Sequence, residues 1–410
     1  MSSLAPDPAL PRRDDLLDDA LVGSRLGAKE CTRLRAKYRM GESLRATYRL
    51  VDDTGSRLVS ARMFVAGKAP VQLARARDAL LREDAEGSVL LDEPMSTIFW
   101  VFPHDRKLRG LDQLTCPPAA LRDVFGTPWT DGELVAYMPE KAATARCLDE
   151  SGATVGFAKV QVGDEGSRSV AALRAVRRGL AEGDVLRLPD VVGYLPERHL
   201  ALYSAAPGRP WNQIDRAAVP EAMAALGAAL SVLHRRPTDG FAPFTRLEPA
   251  GVAGAGRLVQ AARPDLAALT GSLVDALLAT TPEPGPTVLL HGDLHPKNVL
   301  VHDAGVSLVD LDQAGAGPAA AELGGTLARL WCPRPGDEID ATTADAAAAA
   351  LLDHYHRPSA HEVLLWYAAA ALLVERAVRA ISRVDVPAMA DLDRVLTTAL
   401  GWTARARSRR

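Results

Sequence analysis

Phosphate chemistry needs carboxylates and amides held close together, and residues 291–312 supply them. The run His291-Gly292-Asp293-Leu294-His295-Pro296-Lys297-Asn298 lies between two apolar stretches, Val288-Leu289-Leu290 and Val299-Leu300-Val301. An Asp303-Ala304-Gly305 turn then leads into Val306-Ser307-Leu308-Val309, and that stretch ends at Asp310. The pattern predicts a loop followed by a β-hairpin, which brings Asp293, Asn298 and Asp310 into one neighbourhood. Such a set suits phosphoryl transfer, where catalysis is positioning plus neutralisation of charge. One carboxylate, Asp293, would orient an acceptor hydroxyl and take its proton. The amide oxygen of Asn298 and the carboxylate of Asp310 would hold Mg2+ against phosphate oxygens. Asp312 either lines the same metal site or is simply solvated. His291 reads as a brace for the loop rather than a proton carrier. His295 either approaches the acceptor or has a structural role. A chance polar loop between strands is the bland alternative, and the strand context with a second acidic partner argues against it.

The elements that must position this set follow from periodicity. Residues 38–65 alternate like a hairpin with a turn at Asp52-Asp53-Thr54-Gly55, and a helix is expected over about 71–82. A short apolar strand covers Thr97–Phe102. Residues 134–162 form a second hairpin-like unit with a turn at Asp149-Glu150-Ser151-Gly152, followed by a helix over about 167–181. Strands are expected at 191–194 and 199–203. From about Pro220 the spacing turns helical, with Met223, Leu226, Leu230 and Leu233 on one face. Later helices are expected around 266–277, 341–354, 359–383 and 387–405. Strand-rich first and helical afterwards, the order predicts an α+β fold in two lobes. One internal similarity stands out. Tyr38-Arg39-Met40-Gly41 with Ala61-Arg62 resembles Tyr137-Met138-Pro139-Glu140 with Ala158-Lys159. This is either a degenerate duplication or two unrelated hairpins with ordinary turn chemistry.

Bulk properties exclude several classes. A net charge of −3 offers no field to recruit nucleic acid or an anionic membrane. No apolar run approaches the length needed to span a bilayer, and the polar start, Met1 to Asp19, is unlike a secretory signal. The four scattered cysteines contain no CxxC pair and suggest a reducing compartment. A cytoplasmic protein without nucleic-acid or membrane partners is expected, its oligomeric state left open.

The loop at 291–298, with Asp310 twelve positions after Asn298, resembles the aminoglycoside phosphotransferase and choline kinase-like branch of the kinase superfamily over about 134–382. That branch reads HGDxHxxN followed by an aspartate at a strand end. The resemblance implies a bilobal protein-kinase-like fold, with a β-rich N-lobe holding ATP or another NTP and a helical C-lobe holding a small-molecule hydroxyl acceptor. The hinge would fall near Tyr203-Ser204-Ala205, where Tyr203 and Ala205 would meet the nucleotide. Lys159 would grip its phosphates. The N-lobe is expected at 131–206 and the C-lobe at 207–410. Residues 19–130 would form an N-terminal cap subdomain, similar to that of bacterial maltokinases and glucosamine kinases, after a flexible lead-in at 1–18.

Two departures qualify the resemblance. The helix expected after Lys159 has no acidic residue in its body, so Glu165, just ahead of it, is the nearest partner for the lysine. The stretch after Asp310 lacks the first aspartate of the family's usual pattern, while Glu322 can replace the second as a hydrogen-bonding group. Only a dozen residues separate Asp310 from Glu322. That leaves no room for the activation segment of a protein kinase. A pseudokinase that binds nucleotide as a regulatory module is the rival reading. The acceptor is read as a sugar, aminoglycoside or related natural product. The acidic run Asp337-Glu338-Ile339-Asp340 could favour polycations or be a solvated loop. Trp366 and Tyr367 could stack on a sugar ring or pack in the core. Glu362, Glu375, Arg376 and Arg379 could bind the acceptor or form surface pairs.

Overall fold

The computed structural model describes residues 4–65, 67–80, 88–181, 183–335 and 339–407. The chain divides into two compact units. One comprises Met1–Ser167, Val192–Ser204 and Ile381–Asp385, the other Arg168–Val191, Ala205–Ala380 and Val386–Arg410. The main chain passes from the first unit to the second after Ser167, Ser204 and Asp385, and back after Val191 and Ala380.

The first unit opens with short helices α1 (Arg13–Leu16) and α2 (Asp19–Arg25). Asp18 caps α2 by accepting from the Ala20 and Leu21 amides, both at 3.0 Å. Strands β1 (Glu30–Arg39), β2 (Ser43–Asp52) and β3 (Gly55–Phe64) follow as an antiparallel meander. Leu44, Ala46, Tyr48 and Leu50 recur at every second position of β2 and are all buried, as a half-buried strand requires. Helix α3 (Ala69–Leu80) precedes β4 (Val89–Asp92) and β5 (Thr97–Val101). The sheet runs β1-β2-β3-β5-β4. Phe64, Ala69, Leu73, Ile98 and Trp100 form the small core beneath α3.

Residues 4–18 correct the expectation of a flexible lead-in. Leu4, Leu10 and Leu16 are buried, and Tyr48 Oη donates to the Leu16 carbonyl. Three leucines in a polar sequence suffice to anchor the segment once a neighbouring sheet offers an apolar face.

A second sheet repeats the first. Strands β6 (Asp131–Met138), β7 (Ala142–Leu148) and β8 (Thr154–Gln161) form another meander. Helix α4 (Glu165–Arg177), the two-residue β9 (Leu186–Arg187), β10 (Val191–Leu195) and β11 (Leu200–Tyr203) follow. The order β6-β7-β8-β11-β10 is that of the first sheet, and a helix again follows the third strand. The tyrosine noted in each hairpin confirms the register of the repeat. Tyr38 Oη donates to Asp7 Oδ2 at 2.6 Å, and the Gly41 amide donates to the same oxygen at 2.9 Å. Tyr137 Oη donates to Asp105 Oδ2 at 2.7 Å, and the Glu140 amide does likewise at 3.0 Å. Gly41 and Glu140 both take the left-handed conformation, at φ 73° and 64°. Asp7 and Asp105 each begin an Asp-x-x-Leu turn whose leucine, Leu10 or Leu108, is buried. Of the two readings of the internal similarity, duplication is the one this geometry favours.

The second unit is helical around small sheets. Strand β12 (Arg209–Pro210) precedes helices α5 (Val219–Leu233), α6 (Pro249–Ala262) and α7 (Ala267–Ala279). Strands β13 (Thr287–Leu290), β14 (Val299–His302), β15 (Gly305–Leu308) and β16 (Gly315–Pro318) flank the loop at 291–298 and the turn after Asp310. β14 and β15 form the expected hairpin within the sheet β12-β14-β15-β9, and β13 pairs antiparallel with β16. Helices α8 (Ala319–Trp331), α9 (Ala341–Asp353), α10 (His361–Ala371), α11 (Val378–Arg383), α12 (Val386–Ala390) and α13 (Leu392–Arg407) complete the unit, with a π-helical stretch at Leu372–Ala377. The stretch Arg216–Leu233 has the length and mean hydropathy of a membrane-crossing segment, correcting the expectation that no such run exists. It is half buried in the structure. Met223, Leu226, Leu230 and Leu233 are core residues of α5, and abundant alanine raises its hydropathy.

Candidate active site

The loop between β13 and β14 is held from beneath by Glu322, in the first turn of α8. Its carboxylate accepts from the His291 amide at 3.1 Å and the Gly292 amide at 2.9 Å. His234 Nε2 lies 3.0 Å from the same carboxylate, and its Nδ1 lies 2.9 Å from Tyr355 Oη. Burial pushes the Glu322 carboxyl up, but the hydrogen bond from His234, the nearby His291 and the bond from the Gly292 amide outweigh it and hold it below its ordinary value. A buried carboxylate thereby satisfies two amides that a tight loop could not pair internally. Gly292 is required at the bend. Its φ is 79°, and a Cβ there would lie 2.0 Å from the Gln313 carbonyl oxygen.

His291 is fully buried and bridges two strands of backbone. Its Nε2 donates to the Val309 carbonyl at 2.9 Å, and its Nδ1 accepts from the Asp293 amide at 3.3 Å. These partners select the tautomer with the proton on Nε2. They also tie the Asp293 loop to the end of β15. Asn298 is buried and donates from Nδ2 to the Asp293 carbonyl at 3.0 Å. The Val309 amide donates to the Asn298 carbonyl at 3.1 Å, extending the β14–β15 ladder by one rung. Asn298 and Asp310 therefore sit at the same end of that hairpin. Asp310 is exposed, with φ 65° and ψ 56°, and it starts the 3₁₀ turn Leu311–Gln313. Aspartate tolerates this left-handed conformation better than most residues. Asp312 lies within that turn, half-buried.

Asp293 itself is half-buried. Arg379 of α11 approaches its Oδ1 at 3.3 Å, and His295 Nε2 lies 3.8 Å from Oδ2. Burial raises the Asp293 pKa, but His295, Arg379, Arg246 and His291 together bring it below the ordinary aspartate value. Burial pushes His295 down to about 4, against the attraction of Asp293 and with the repulsion of Arg329 and Arg379. His295 is thus neutral near pH 7, and its 3.8 Å approach is not an ion pair. The arginines keep Asp293 ionised. Arg246 donates to the Gly292 carbonyl and stacks 4.8 Å from the Phe244 ring centre. Arg329 pairs with Glu375 at 3.2 Å, and Arg376 donates to the Cys332 carbonyl at 2.8 Å. The π-helical stretch adds a residue between α10 and α11. This shifts the face on which Arg379 emerges relative to a continuous α-helix.

In the first unit, Lys159 lies in β8 opposite Thr144 and Ala201, and it is buried. It is not an exposed strand lysine. Glu165 is not ahead of the following helix but is its first residue, because α4 starts two positions earlier than its apolar spacing suggests. Tyr203 ends β11, and Ala205 lies beyond the crossing into the second unit.

Several other expectations change. Trp366 and Tyr367 are both core residues, and Trp366 Nε1 donates to the Leu277 carbonyl at 2.9 Å. Neither is a sugar platform. Asp340 caps α9 through Thr343, while Asp337 and Glu338 lie outside the described residues. Arg246, His234 and Tyr355 went unnoticed in the sequence. They reach the loop from distant segments, and nothing in their local spacing marks them.

A search of curated proteins finds no match. Among solved structures, the chain resembles a thermostable mutant of aminoglycoside phosphotransferase APH(4)-Ia in its apo form. The two are 16% identical with a TM-score of 0.50, over 70% of this chain and 97% of that one. Macrolide 2'-phosphotransferase MphH from Brachybacterium faecium is 20% identical, with a TM-score of 0.45 over 68% of this chain and 98% of that one. A choline/ethanolamine kinase family protein from Mesorhizobium loti is 17% identical, with a TM-score of 0.46 over 72% and 92%. The first likeness shows the kinase-like fold. Residues 159–362 match the model of the phosphotransferase enzyme family, APH. Over that span the chain belongs to this family, and it is a phosphotransferase-family enzyme.

Proposed function

We propose that the protein transfers the terminal phosphoryl group of ATP, or another nucleoside triphosphate, to a hydroxyl of a small molecule. The observation that carries this reading is the loop at 291–298, braced by Glu322 and His291, with Asp293 ionised at its tip. The acceptor oxygen bonds to the γ-phosphorus, the bond from that phosphorus to the ADP oxygen breaks, and the hydroxyl proton passes to Asp293. A carboxylate with a lowered pKa is a weak base. It therefore serves mainly to orient the hydroxyl, which suits a loose transition state in which the proton leaves late. Asn298 and Asp310, hard oxygen donors at one hairpin end, fit Mg2+, which would offset the charge on the phosphate oxygens. Mg2+ needs only one or two protein carboxylates when phosphates complete its shell. Asp312 is a further candidate ligand. Lys159 would hold the nucleotide phosphates with Glu165 as its partner, and Tyr203 and Ala205 would flank the base. His291 and His295 would support the loop and the acceptor side without carrying protons. A cytoplasmic setting supplies the nucleotide.

The acceptor is best read as a neutral or anionic sugar-like compound. Arg379 beside Asp293, with Arg246 and Arg329 acting on the same loop, disfavours a polycationic aminoglycoside. The test is incubation with ATP, Mg2+ and a panel of sugars, sugar acids and aminoglycosides, followed by 31P NMR. Product should form with an uncharged or acidic acceptor, and Asp293→Asn should lower turnover by about 10²–10⁴-fold. Near-normal turnover in Asp293→Asn would remove Asp293 from this role. Normal nucleotide binding with no turnover on any acceptor would favour the regulatory pseudokinase.

A further inference from the structure

The two sheets of the first unit correspond at matched register positions. Tyr38 pairs with Leu44, and Leu44 with Met63; Tyr137 pairs with Ala143, and Ala143 with Val160. Met63 pairs onward with Thr97, as Val160 does with Leu200. Counting back one residue places Arg62 of β3 where β8 has Lys159. Six residues further on, the second repeat has Glu165, at the start of α4. The first repeat has Lys68 there, immediately before α3. The cation on the strand is kept, while the acid at the helix start is replaced by a second cation.

These two residues help line a cavity of about 330 Å³, together with Ser43, Gln72, Arg106 and Glu42. The Gly41 turn, the first-repeat counterpart of the Glu140 turn, forms part of its rim. Behind the wall, the buried Glu140 accepts from Arg62, and from Arg106 at 2.7 Å, with Arg45 at 3.9 Å. Burial pushes the Glu140 carboxyl up, but the hydrogen bonds from Arg106 and Arg62 outweigh it and keep it charged. Four cations thus face two carboxylates, leaving an excess of two positive charges. Glu140 fixes the guanidinium groups by one edge. Arg62 is further held flat, 5.0 Å from the Phe64 ring centre. Preset guanidinium forks beside a helix start are what a phosphate group requires. The volume is at the small end for a metabolite site.

We propose that this pocket is a second anion site, which binds the phosphate group of a small phosphomonoester or diphosphate separately from the nucleotide. It stands on its own residues and does not depend on the role given to Lys159.

The test is calorimetric titration of the full chain with inorganic pyrophosphate, without divalent metal. Saturable binding is expected, weakened at least about tenfold by Lys68→Glu and by Arg106→Gln. Lys68 is exposed, so its replacement leaves the core intact; a thermal melt checks folding of both variants. Lys107→Glu, an equal charge change on an exposed residue outside the pocket, should bind within about twofold of the parent. Lys159→Ala should retain the titration. The proposal is overturned if the parent shows no saturable binding, or if Lys68→Glu and Arg106→Gln bind as the parent does. It is also overturned if Lys107→Glu weakens binding as much as Lys68→Glu, which indicates long-range charge alone. Loss of the titration in Lys159→Ala would mean that pyrophosphate sits at the nucleotide site, and would overturn it too.

Discussion

The two sheets of the first unit share strand order, a tyrosine–aspartate clasp and a left-handed hairpin turn, yet they differ in charge at two matched positions. The second sheet has Lys159 and Glu165, the first Arg62 and Lys68. The family match begins at Lys159, so the whole of the first sheet lies outside it. A fold can be copied with its backbone hydrogen bonds intact, because those do not depend on which side chains face outward. Chemistry is copied only where side-chain charges are kept. The first sheet therefore repeats the scaffold of the second but presents a pocket with an excess of positive charge where the second has a lysine and an acid.

The contrast can be broken or sharpened by substitution. The largest effect is expected at Glu140, the one carboxylate that Arg62 and Arg106 share. Glu140→Ala leaves half-buried guanidinium groups facing one another and should destabilise by about 2–4 kcal/mol in urea unfolding. Gly41, its counterpart, carries no charge, and Gly41→Ala should cost only about 1–2 kcal/mol for the left-handed turn. Equal losses would show that the turn, not the charge, matters at both sites. Next comes exchange of the strand cations. Lys159→Arg should lower kcat/KM for nucleotide by about 10–100-fold, because a planar guanidinium does not replace a compact ammonium. Full nucleotide use by that variant would erase the distinction between the sheets. Smaller and matched losses are expected from Tyr38→Phe and Tyr137→Phe. Each removes one hydrogen bond to a buried aspartate and should cost about 1–2 kcal/mol. A large difference between them would argue against a common clasp.

The smallest effect lies outside both sheets, at His295. Burial lowers its pKa to about 4, so between that pH and about 6.5 the unfolded chain binds a proton that the folded chain does not. Stability should therefore fall as the pH drops through this window. Denaturant unfolding of His295→Gln should show a shallower fall, and an unchanged slope would mean that His295 titrates normally.

The loop at 291–298 was legible because its parts are contiguous. A strand, a glycine bend and a hairpin turn are set by local backbone preferences, so Asp293, Asn298 and Asp310 could be grouped from spacing alone. The two hairpin-like units and several of the helices were legible for the same reason, while the full strand order of each sheet was not. Lys159 was visible because lysine is scarce beside arginine, and Glu322 because it stands near an expected acid. Other features depended on long-range packing. Residues 4–18 look unstructured by composition, yet Asp7 meets Tyr38 across 31 positions. Trp366 and Tyr367 carry polar handles that suit either a ligand or a core.

The sequence by itself therefore determined the reaction class, through a run of eight residues and an aspartate at a strand end. Only the tertiary structure decided what surrounds them. Arg379 reaches Asp293 across 86 positions, and Arg62 meets Glu140 across 78. Charge acts through space, and no local pattern records which distant side chains the fold will bring within its range.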